Sequence, residues 1–372
     1  MRIDTFRNIT FSCVAQCLVV LCLFVACSKS EQPANALSDV PIRIGVEGWA
    51  PMSNSRATIF EAADDILNEE IGGGNLTMHA YLCETGSTFI GGSRAWYFNS
   101  TWRFYNGQTN DFIEYYWPQN NTVDFFAYMP YKDSGRRKSI TVGDYVPGTG
   151  LNISCQMQST TSDGVDATDD LYDHQGQETI FAYTTNQSKA DPTVDLKFVH
   201  PFAAVKFKLK QAHRNLTIDW IRFDNIYLNG STTLNTNTVN SEDISWTPSG
   251  SAETFAIPVD KTIPDEINYN GEIGVEYLVM PQVFDKGTSV DTDDATITIQ
   301  YTWDNGLTPS DTTDDTMQFT RTIKTSEITE WKAGKKYTYI LDLGDNKEEI
   351  LFKVIVQPWE TIGGDNNIID VE

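Results

Sequence analysis

The sequence predicts an all-β protein, and two observations lead to that fold class. Apolar and polar residues alternate along several short segments, the pattern of a strand with one buried face and one face in water. Helical periodicity is scarce, so antiparallel β-sandwiches are favoured over an α/β arrangement. The chain has 372 residues, and at roughly 150 residues per domain this length allows about two domains.

Strand candidates follow one another along the whole chain. The clearest alternation lies at 42–46, 205–210, 295–303, 336–343 and 350–356. Further candidates are Leu76–Leu82, Phe112–Trp117, Val123–Met129, Thr179–Tyr183, Ile218–Leu228, Thr254–Val259 and Ile273–Met280. A short turn, Asp345-Asn346, separates the last two alternating segments, which therefore predict a hairpin.

Helices and loops take the remaining segments. The spacing of apolar residues predicts one helix over Ile59–Leu67, and Ser326–Ala333, closed by Gly334, predicts a helical turn or two. Polar stretches predict long loops at 158–178, 231–251 and 285–294.

A polar segment containing Pro192 predicts a domain boundary near residue 194. This gives an N-terminal β-sandwich domain over 41–194 and a C-terminal β-sandwich domain over 195–372.

The N-terminus has the layout of a bacterial export signal. A short polar start with two arginines precedes the mostly apolar run from Ile9 to Ala26. Phe24-Val25-Ala26-Cys27 resembles a lipobox, which implies lipidation, with palmitate, of Cys27. Residues 1–26 are thus interpreted as a lipoprotein signal peptide and 27–40 as a linker. An ordinary signal peptide that is rich in cysteine is the alternative.

Charge excludes several classes of partner. The chain carries 27 Lys+Arg against 51 Asp+Glu, a formal net charge of -24. A chain this acidic repels phosphate groups, so no nucleic acid is expected as a partner. Anionic lipid headgroups are disfavoured for the same reason.

The sequence lacks the motifs that identify common enzymes. G-x-S-x-G, H-E-x-x-H and P-loop patterns are absent, and the predicted mature chain has no C-x-x-C. No catalytic residue, cofactor or metal site is therefore assigned, and the protein is predicted not to be an enzyme.

Acidic loops at 163–173, 291–294 and 311–315 could offer oxygen ligands to Ca²⁺ but lack EF-hand spacing. Cys83 and Cys155 could form one disulfide or remain two free thiols.

Aromatic residues concentrate between Trp96 and Tyr131. The set includes Trp102, Phe104, Tyr105, Tyr115, Tyr116, Trp117, Phe125, Phe126 and Tyr128. Such rings could stack on sugars, which gives the alternative function of a glycan-binding outer-membrane lipoprotein. A sandwich core with aromatic cross-strand pairs is favoured, because alternation sends half of these residues inward.

Several segments together resemble a known family. They are Tyr115–Pro118 followed by Asp124–Pro130, Phe198–Phe207, Tyr277–Gln282, Gly334–Tyr339 and Val354–Trp359. Their order, with the lipobox, resembles the fimbrillin-like lipoproteins of Bacteroidetes, the family of major and minor fimbrial subunits. The resemblance covers nearly the whole chain.

The resemblance implies two transthyretin-like antiparallel β-sandwich domains and an assembly mechanism. A lipidated precursor, anchored in the outer membrane and exposed at the cell surface, would be cut after an arginine behind its first strand. The first strand would be Pro41–Gly48 and the cut bond Arg56-Ala57. An uncut Arg56 is the alternative, and Arg136-Arg137-Lys138 is a competing exposed site.

The resemblance also implies the partners. Other fimbrial subunits, of the same or a related kind, would bind by donor-strand exchange, in which a segment of one subunit fills the groove left in another. The donor would be the tail Glu360–Glu372. A receptor or glycan on a host or bacterial surface is left open as a further partner. The resulting function is a surface fimbrial (pilus) subunit or a fimbrillin-like adhesin.

Overall fold

The computed structural model describes residues 37–46, 74–99, 101–106, 108–129, 131, 139–157, 179–211, 216–238, 240–262, 269–285, 294–303, 316–322, 328–343 and 350–359. Within these ranges there is no α-helix, and a single 3₁₀ turn spans Ser241–Asp243. Among the residues described, no helix is long and apolar enough to cross a bilayer.

The strands follow in chain order. They are β1 (Leu37–Pro41), β2 (Arg43–Val46), β3 (Asn75–Leu82), β4 (Thr88–Phe98), β5 (Thr101–Asn106), β6 (Asp111–Ile113), β7 (Tyr116–Pro118), β8 (Val123–Met129), β9 (Ser139–Val146), β10 (Gly150–Gln156), β11 (Ile180–Gln187), β12 (Thr193–Leu196), β13 (Ala203–Gln211), β14 (Leu216–Ile226), β15 (Asn229–Leu234), β16 (Thr247–Ser249), β17 (Glu253–Thr262), β18 (Tyr269–Val279), β19 (Gln282–Val283), β20 (Thr296–Trp303), β21 (Thr316–Thr322), β22 (Glu330–Trp331), β23 (Lys335–Leu343) and β24 (Ile350–Pro358).

The all-β prediction is confirmed, and the predicted strands are found, with shifted ends, except that Phe112–Trp117 divides between β6 and β7. These two strands belong to different sheets, since β6 pairs with β5 and β7 pairs with β1. The last two strands, β23 and β24, pair antiparallel over nine residues as the predicted hairpin. The predicted helix over Ile59–Leu67 lies outside the described residues.

Two local predictions are wrong. The segment 231–251 is not one long loop, because β15 pairs with β10 and β16 pairs with β15. Thr232 and Leu234 of β15 are buried. This polar segment therefore has an inward-facing side that its composition does not indicate. The described part of Ser326–Ala333 is not helical, because Glu330 and Trp331 pair with β19. The predicted loop at 158–178 lies outside the described residues, as does the one at 285–294 apart from its end residues Asp285 and Asp294.

A six-stranded sheet with the order β11-β8-β3-β4-β5-β6 organises the N-terminal half. One face of this sheet packs against the segments that contain β1, β2, β7 and β12. The hydrophobic cluster between them, called here the N-terminal core, contains Ile42, Leu76, Phe104, Trp117, Phe125 and Leu196 among others. The opposite face of the sheet contributes side chains such as Phe126 and Phe181 to a second, larger cluster, called here the main core.

The main core extends through the rest of the molecule. A four-stranded sheet, β16-β15-β10-β9, contributes Leu151, Ile153 and Leu234 to it. Two further sheets, β18-β13-β23-β24 and β17-β14-β20-β21, enclose its C-terminal part, where Phe207 lies 5.9 Å from Phe223 between ring centroids. Because β15 pairs with β10, contacts cross the predicted boundary near residue 194. The two-domain division and the transthyretin-like assignment stay predictions.

The sheets are not purely antiparallel, which corrects that part of the expectation. Strand β13 pairs parallel with β23, and β2 pairs parallel with β12. Parallel neighbours need a long connection between them. In both cases more than a hundred residues separate the two strands along the chain, so local patterns could not reveal the pairing.

A turn at Gly334 fixes the end of β24. Gly334 has a φ of +70°, and a Cβ there would clash with the Cβ of Ser241. The N–H of Gly334 donates to the oxygen of Phe202 at 2.9 Å, and the N–H of Trp359 donates to the oxygen of Gly334 at 2.7 Å. Trp359 also stacks on the buried His200 at 4.3 Å between ring centroids. The residue that precedes the C-terminal tail is therefore firmly anchored.

Alkaline pH is expected to destabilise this fold through its buried tyrosines. Burial raises the pKa of Tyr81 and of Tyr337 from 10.0 to about 12. The unfolded chain releases these protons at the ordinary pKa. The contribution of the two tyrosines to the free energy of unfolding is therefore fully present below pH 10 and is lost as the pH rises towards 12. A tyrosinate absorbance titration run beside urea unfolding measures this. Full tyrosine ionisation near pH 10 without loss of stability would contradict it.

Candidate functional site

The two halves of the first strand segment, 37–46, pair with different strands. Its first half, β1, pairs antiparallel with β7, with Leu37 opposite Pro118 and Pro41 opposite Tyr116. Its second half, β2, pairs parallel with β12, with Ile44 opposite Val194. The predicted strand Pro41–Gly48 is thus found from Pro41 to Val46, but pairing begins earlier, at Leu37.

The change of partner occurs at Ile42. Its N–H donates to the oxygen of Tyr115 at 2.8 Å, while the N–H of the next residue, Arg43, donates to the oxygen of Pro192 at 3.0 Å. Pro41 has no N–H to give to a ladder, which favours a break at this point. The segment therefore exchanges main-chain hydrogen bonds with strands on both of its sides.

The apolar side chains of this segment reach the N-terminal core. Ile42 is buried, and Val40, Ile44 and Val46 are half-buried against the same core. Below and beside them lie Trp117, Val194 and Leu196, each fully buried. If the segment left, these side chains and the facing edges of β7 and β12 would line an open apolar groove, which we call the strand groove.

The other residues predicted for processing and assembly lie outside the described residues. They are Cys27 as the lipidation site, Arg56 and Ala57 as the cut bond, the competing basic site 136–138, and the tail 360–372. Their roles stay predictions.

The aromatic residues from Trp96 to Tyr131 divide between the two faces of the six-stranded sheet. Trp102, Phe104, Tyr115, Trp117 and Phe125 belong to the N-terminal core or pack against it. Phe126 and Tyr128 belong to the main core on the other face. Core packing, the favoured interpretation, therefore accounts for most of the set.

Four of these aromatic residues remain together at the free end of the sheet, on the outward side of β4, β5 and β6. They are Trp96, Phe98, Tyr105 and Phe112, with ring centroids 5.4 to 6.3 Å apart. Phe98 and Phe112 are each 38% exposed. Arg94 and Arg103 lie over these rings. We call these six residues the aromatic–arginine face.

A buried carboxylate ties four segments together near the turn after β3. Asp124 Oδ1 accepts from the Sγ of Cys83 at 3.0 Å and from the N–H of Asn186 at 2.8 Å. Its Oδ2 accepts from the hydroxyls of Tyr145 at 2.9 Å and Tyr183 at 3.1 Å. Burial, followed by the neighbouring Asp124, raises the pKa of both tyrosines above the ordinary range. We call this group the Asp124 cluster.

Of the two alternatives left open for Cys83 and Cys155, a disulfide or two free thiols, the structure contains the second. Cys83 and Cys155 are both free thiols, with Cys83 partly buried and Cys155 buried. Burial raises the pKa of the Cys83 thiol, so the proton that it donates to Asp124 is retained. The cluster is therefore a hydrogen-bonded tie between strands rather than a nucleophilic centre.

Residues that could hold a metal are not grouped in the part of the chain that the structure describes. No set of three or more His, Cys, Asp and Glu side chains meets there in a way that could hold an ion. The predicted acidic loops lie outside the described ranges except for Asp294. Of the described histidines, His79 lies beside Phe126 and Tyr128, and His200 stacks on Trp359.

Comparison with known families decides the assignment. The profile of the fimbrillin-like family matches residues 81–359, about three quarters of the chain. The chain belongs to the fimbrillin-like family. The resemblance proposed from its ordered motifs is thus confirmed, and the fimbrillin-like match begins at the end of β3, after the first strand segment.

Several solved structures are similar to this fimbrillin-like chain. A fimbrial protein from Bacteroides vulgatus matches with 16% identity and a TM-score of 0.54, covering 86% of this chain and 99% of that one. A candidate cell adhesion protein from Bacteroides uniformis has 13% identity, a TM-score of 0.47 and coverages of 87% and 100%. The truncated tip fimbrial protein Mfa3 from Porphyromonas gingivalis has 10% identity, a TM-score of 0.37 and coverages of 86% and 100%. No curated protein matches the chain.

Proposed function

We propose that this fimbrillin-like protein is a surface lipoprotein that serves as a fimbrial subunit or adhesin. It joins other fimbrial subunits by strand exchange, is lipidated at Cys27 and is held at the outer membrane by that anchor. It has no enzymatic role. Family membership supports the fimbrial part of the proposal, and the geometry of the first strand segment supports the exchange.

The observation that carries the proposal is the position of β1 and β2. The segment pairs with β7 on one side and β12 on the other, and its apolar side chains fill the strand groove. A groove that is bordered by two strand edges and floored by apolar side chains is the kind of surface that accepts an added strand. Main-chain hydrogen bonds would supply affinity, and alternate apolar side chains would supply register.

Cleavage at Arg56-Ala57 explains how the segment would be released. This bond lies between β2 and β3, so cutting it leaves 37–46 attached to its groove by noncovalent contacts alone. Only Ile42 of the segment is buried, while Val40, Ile44 and Val46 are half-buried, and fully burying one apolar side chain is worth roughly 1.5–3 kcal/mol. A donor strand from another subunit can therefore compete with it.

The tail 360–372 is the proposed donor. It follows directly after Trp359, which is anchored by stacking and by a main-chain hydrogen bond. Its apolar residues are few, Ile362, Ile368, Ile369 and Val371, and Gly363-Gly364 interrupts them. Because the apolar pattern of this tail is weak, a subunit in a short fibre or at the end of a fibre is as compatible with it as one in a long stalk.

Mild trypsin treatment of the purified mature chain tests the proposal. We expect cleavage after Arg56 to convert monomers into a ladder of heat-labile species on a non-boiled gel. Arg56→Gln removes the cut and should leave only monomer, whereas Arg136→Gln, at the competing site, should ladder like the unmodified chain. A clean cut after Arg56 with no ladder, or an equal ladder from Arg56→Gln, would show that the mechanism is wrong.

A further inference from the structure

We propose that the aromatic–arginine face binds glycans that carry a carboxylate, such as sialylated or uronate-containing sugars. The site consists of rings at 96, 98, 105 and 112 with the guanidinium groups of Arg94 and Arg103. The inference rests on the adhesive role proposed above and names its ligand class, but it does not depend on strand exchange.

The rings form a platform instead of a closed core. Phe98 and Phe112 lie 5.4 Å apart between centroids, and each exposes 38% of its surface. Trp96 and Tyr105 complete the platform, with an edge-to-face contact at 5.5 Å. Clustered exposed aromatic side chains on a soluble protein mark an interaction site. The C–H bonds on one side of a pyranose ring carry partial positive charge, so they pack well on the negative face of such rings.

Arg94 is held rigidly within the platform. Its Nε donates to Oδ1 of Asn75 at 2.7 Å. Its guanidinium carbon lies 5.2 to 5.4 Å from the ring centroids of Trp96, Tyr105 and Tyr131. Cation–π contacts of this kind orient a guanidinium without neutralising it. The positive charge of Arg94 is therefore fixed beside the rings.

Arg103 is the exposed cation of the face. Its guanidinium carbon lies 5.3 Å from the ring centroid of Phe112, and its Nε donates to the hydroxyl of Thr101 at 3.3 Å. Neither Arg103 nor Arg94 forms an ion pair with any residue that the structure describes. The outer nitrogens of Arg103 are thus placed to bind a carboxylate through two parallel hydrogen bonds.

Several cations elsewhere on the described surface are paired with acids. On the C-terminal sheets, Lys206 pairs with Glu272 at 3.0 Å and Lys210 pairs with Asp342 at 2.7 Å. A chain with a net charge of -24 has acids in excess, yet the two arginines of the face are left for an external anion. The Debye length is about 8 Å at physiological salt, so distant acids are screened while a bound carboxylate feels the adjacent guanidinium.

The edge of the sheet argues against a second copy of this chain as the occupant. The outer edge of the sheet is β6, which has only three residues and so offers few main-chain hydrogen bonds to an added strand. A small sugar needs no strand edge, and its carboxylate is attracted locally by the adjacent guanidinium groups.

Ligand-observed NMR on the full mature chain carrying Arg56→Gln tests the inference, because this variant stays monomeric under the proposed mechanism. The probes are sialyllactose against lactose, and trigalacturonate against its methyl ester. We expect at least one charged probe to bind about tenfold more tightly than its neutral counterpart. Arg103→Gln should remove that preference, Phe112→Ala should weaken both members of the pair, and Lys353→Gln, an exposed cation on β24, should change neither.

The outcomes separate this inference from strand exchange. Absence of binding by both charged probes, equal binding of charged and neutral partners, or an unchanged preference in Arg103→Gln would each overturn it. Urea unfolding of each variant confirms that the fold is intact. A chain that ladders after cleavage but binds neither charged probe is a fimbrial subunit without this site, whereas binding without a ladder leaves the sugar site standing and rejects the exchange.

Discussion

Replacing Asp124 with alanine is expected to lower the free energy of unfolding by about 3 kcal/mol. The carboxylate is only 6% exposed and accepts four hydrogen bonds, from Cys83, Tyr145, Tyr183 and the N–H of Asn186. Hydrogen bonds to a charged group are worth roughly 1.5–3 kcal/mol each, and donors that lose their acceptor in a buried place pay a further penalty. Loss of the cluster loosens β8, β9 and β11 together.

Two matched variants control this result. Asp124→Asn keeps the shape and one carbonyl acceptor, so it should lose about half as much stability. Asp144→Ala removes an exposed aspartate on β9, beside Tyr145, and should stay within about 0.5 kcal/mol of the parent chain. Urea unfolding followed by tryptophan fluorescence measures all three. Equal midpoints for Asp124→Ala and Asp144→Ala would mean that the cluster contributes nothing to stability.

The strands with a clear apolar face could be predicted from the sequence. Val205, Phe207 and Leu209 are buried on β13 while Lys206 and Lys210 point to water and pair with acids, as alternation requires. Strands rich in Thr, Ser and Asn were missed, as in β15, because their composition matches that of loops. Parallel pairing could not be predicted either, since it depends on residues that are far apart in sequence.

The sequence contains one signal for the Asp124 cluster. Asp124 is the single charged residue in Val123–Met129, a strand whose side chains are all buried. A buried charge requires hydrogen-bond partners, so a polar network around Asp124 can be predicted from this pattern. Its partners Cys83, Tyr145 and Tyr183 come from three other segments, and only the folded chain reveals them.

The aromatic set shows what alternation can and cannot decide. Trp102 and Arg103 are adjacent in sequence, yet Trp102 packs against the N-terminal core and Arg103 points outward into the aromatic–arginine face. The sequence predicted that about half of these side chains turn inward. It could not show that those left outside would meet two arginines that form no ion pair with a described residue, because that depends on the pairing of β4 with β5 and of β5 with β6.

A disulfide that locks the first strand segment in place tests strand exchange most directly. Ile44 and Val194 are direct partners in the parallel pair of β2 and β12, and neighbouring strands lie about 4.8 Å apart, within the range that a disulfide spans. We combine Ile44→Cys and Val194→Cys with Cys27→Ser and Cys83→Ser, which leaves the buried Cys155 as the one other thiol of the predicted mature chain. Lys208→Cys with Ile340→Cys, on the parallel pair of β13 and β23, is the matched control lock.

Gel analysis after cleavage at Arg56 reads the result. The oxidised Ile44–Val194 lock should abolish the ladder, because the segment cannot leave its groove, and dithiothreitol added before cleavage should restore it. The control lock should ladder in both states. If the oxidised Ile44–Val194 lock still forms the full ladder, subunits join without opening the strand groove, and strand exchange at this site is contradicted.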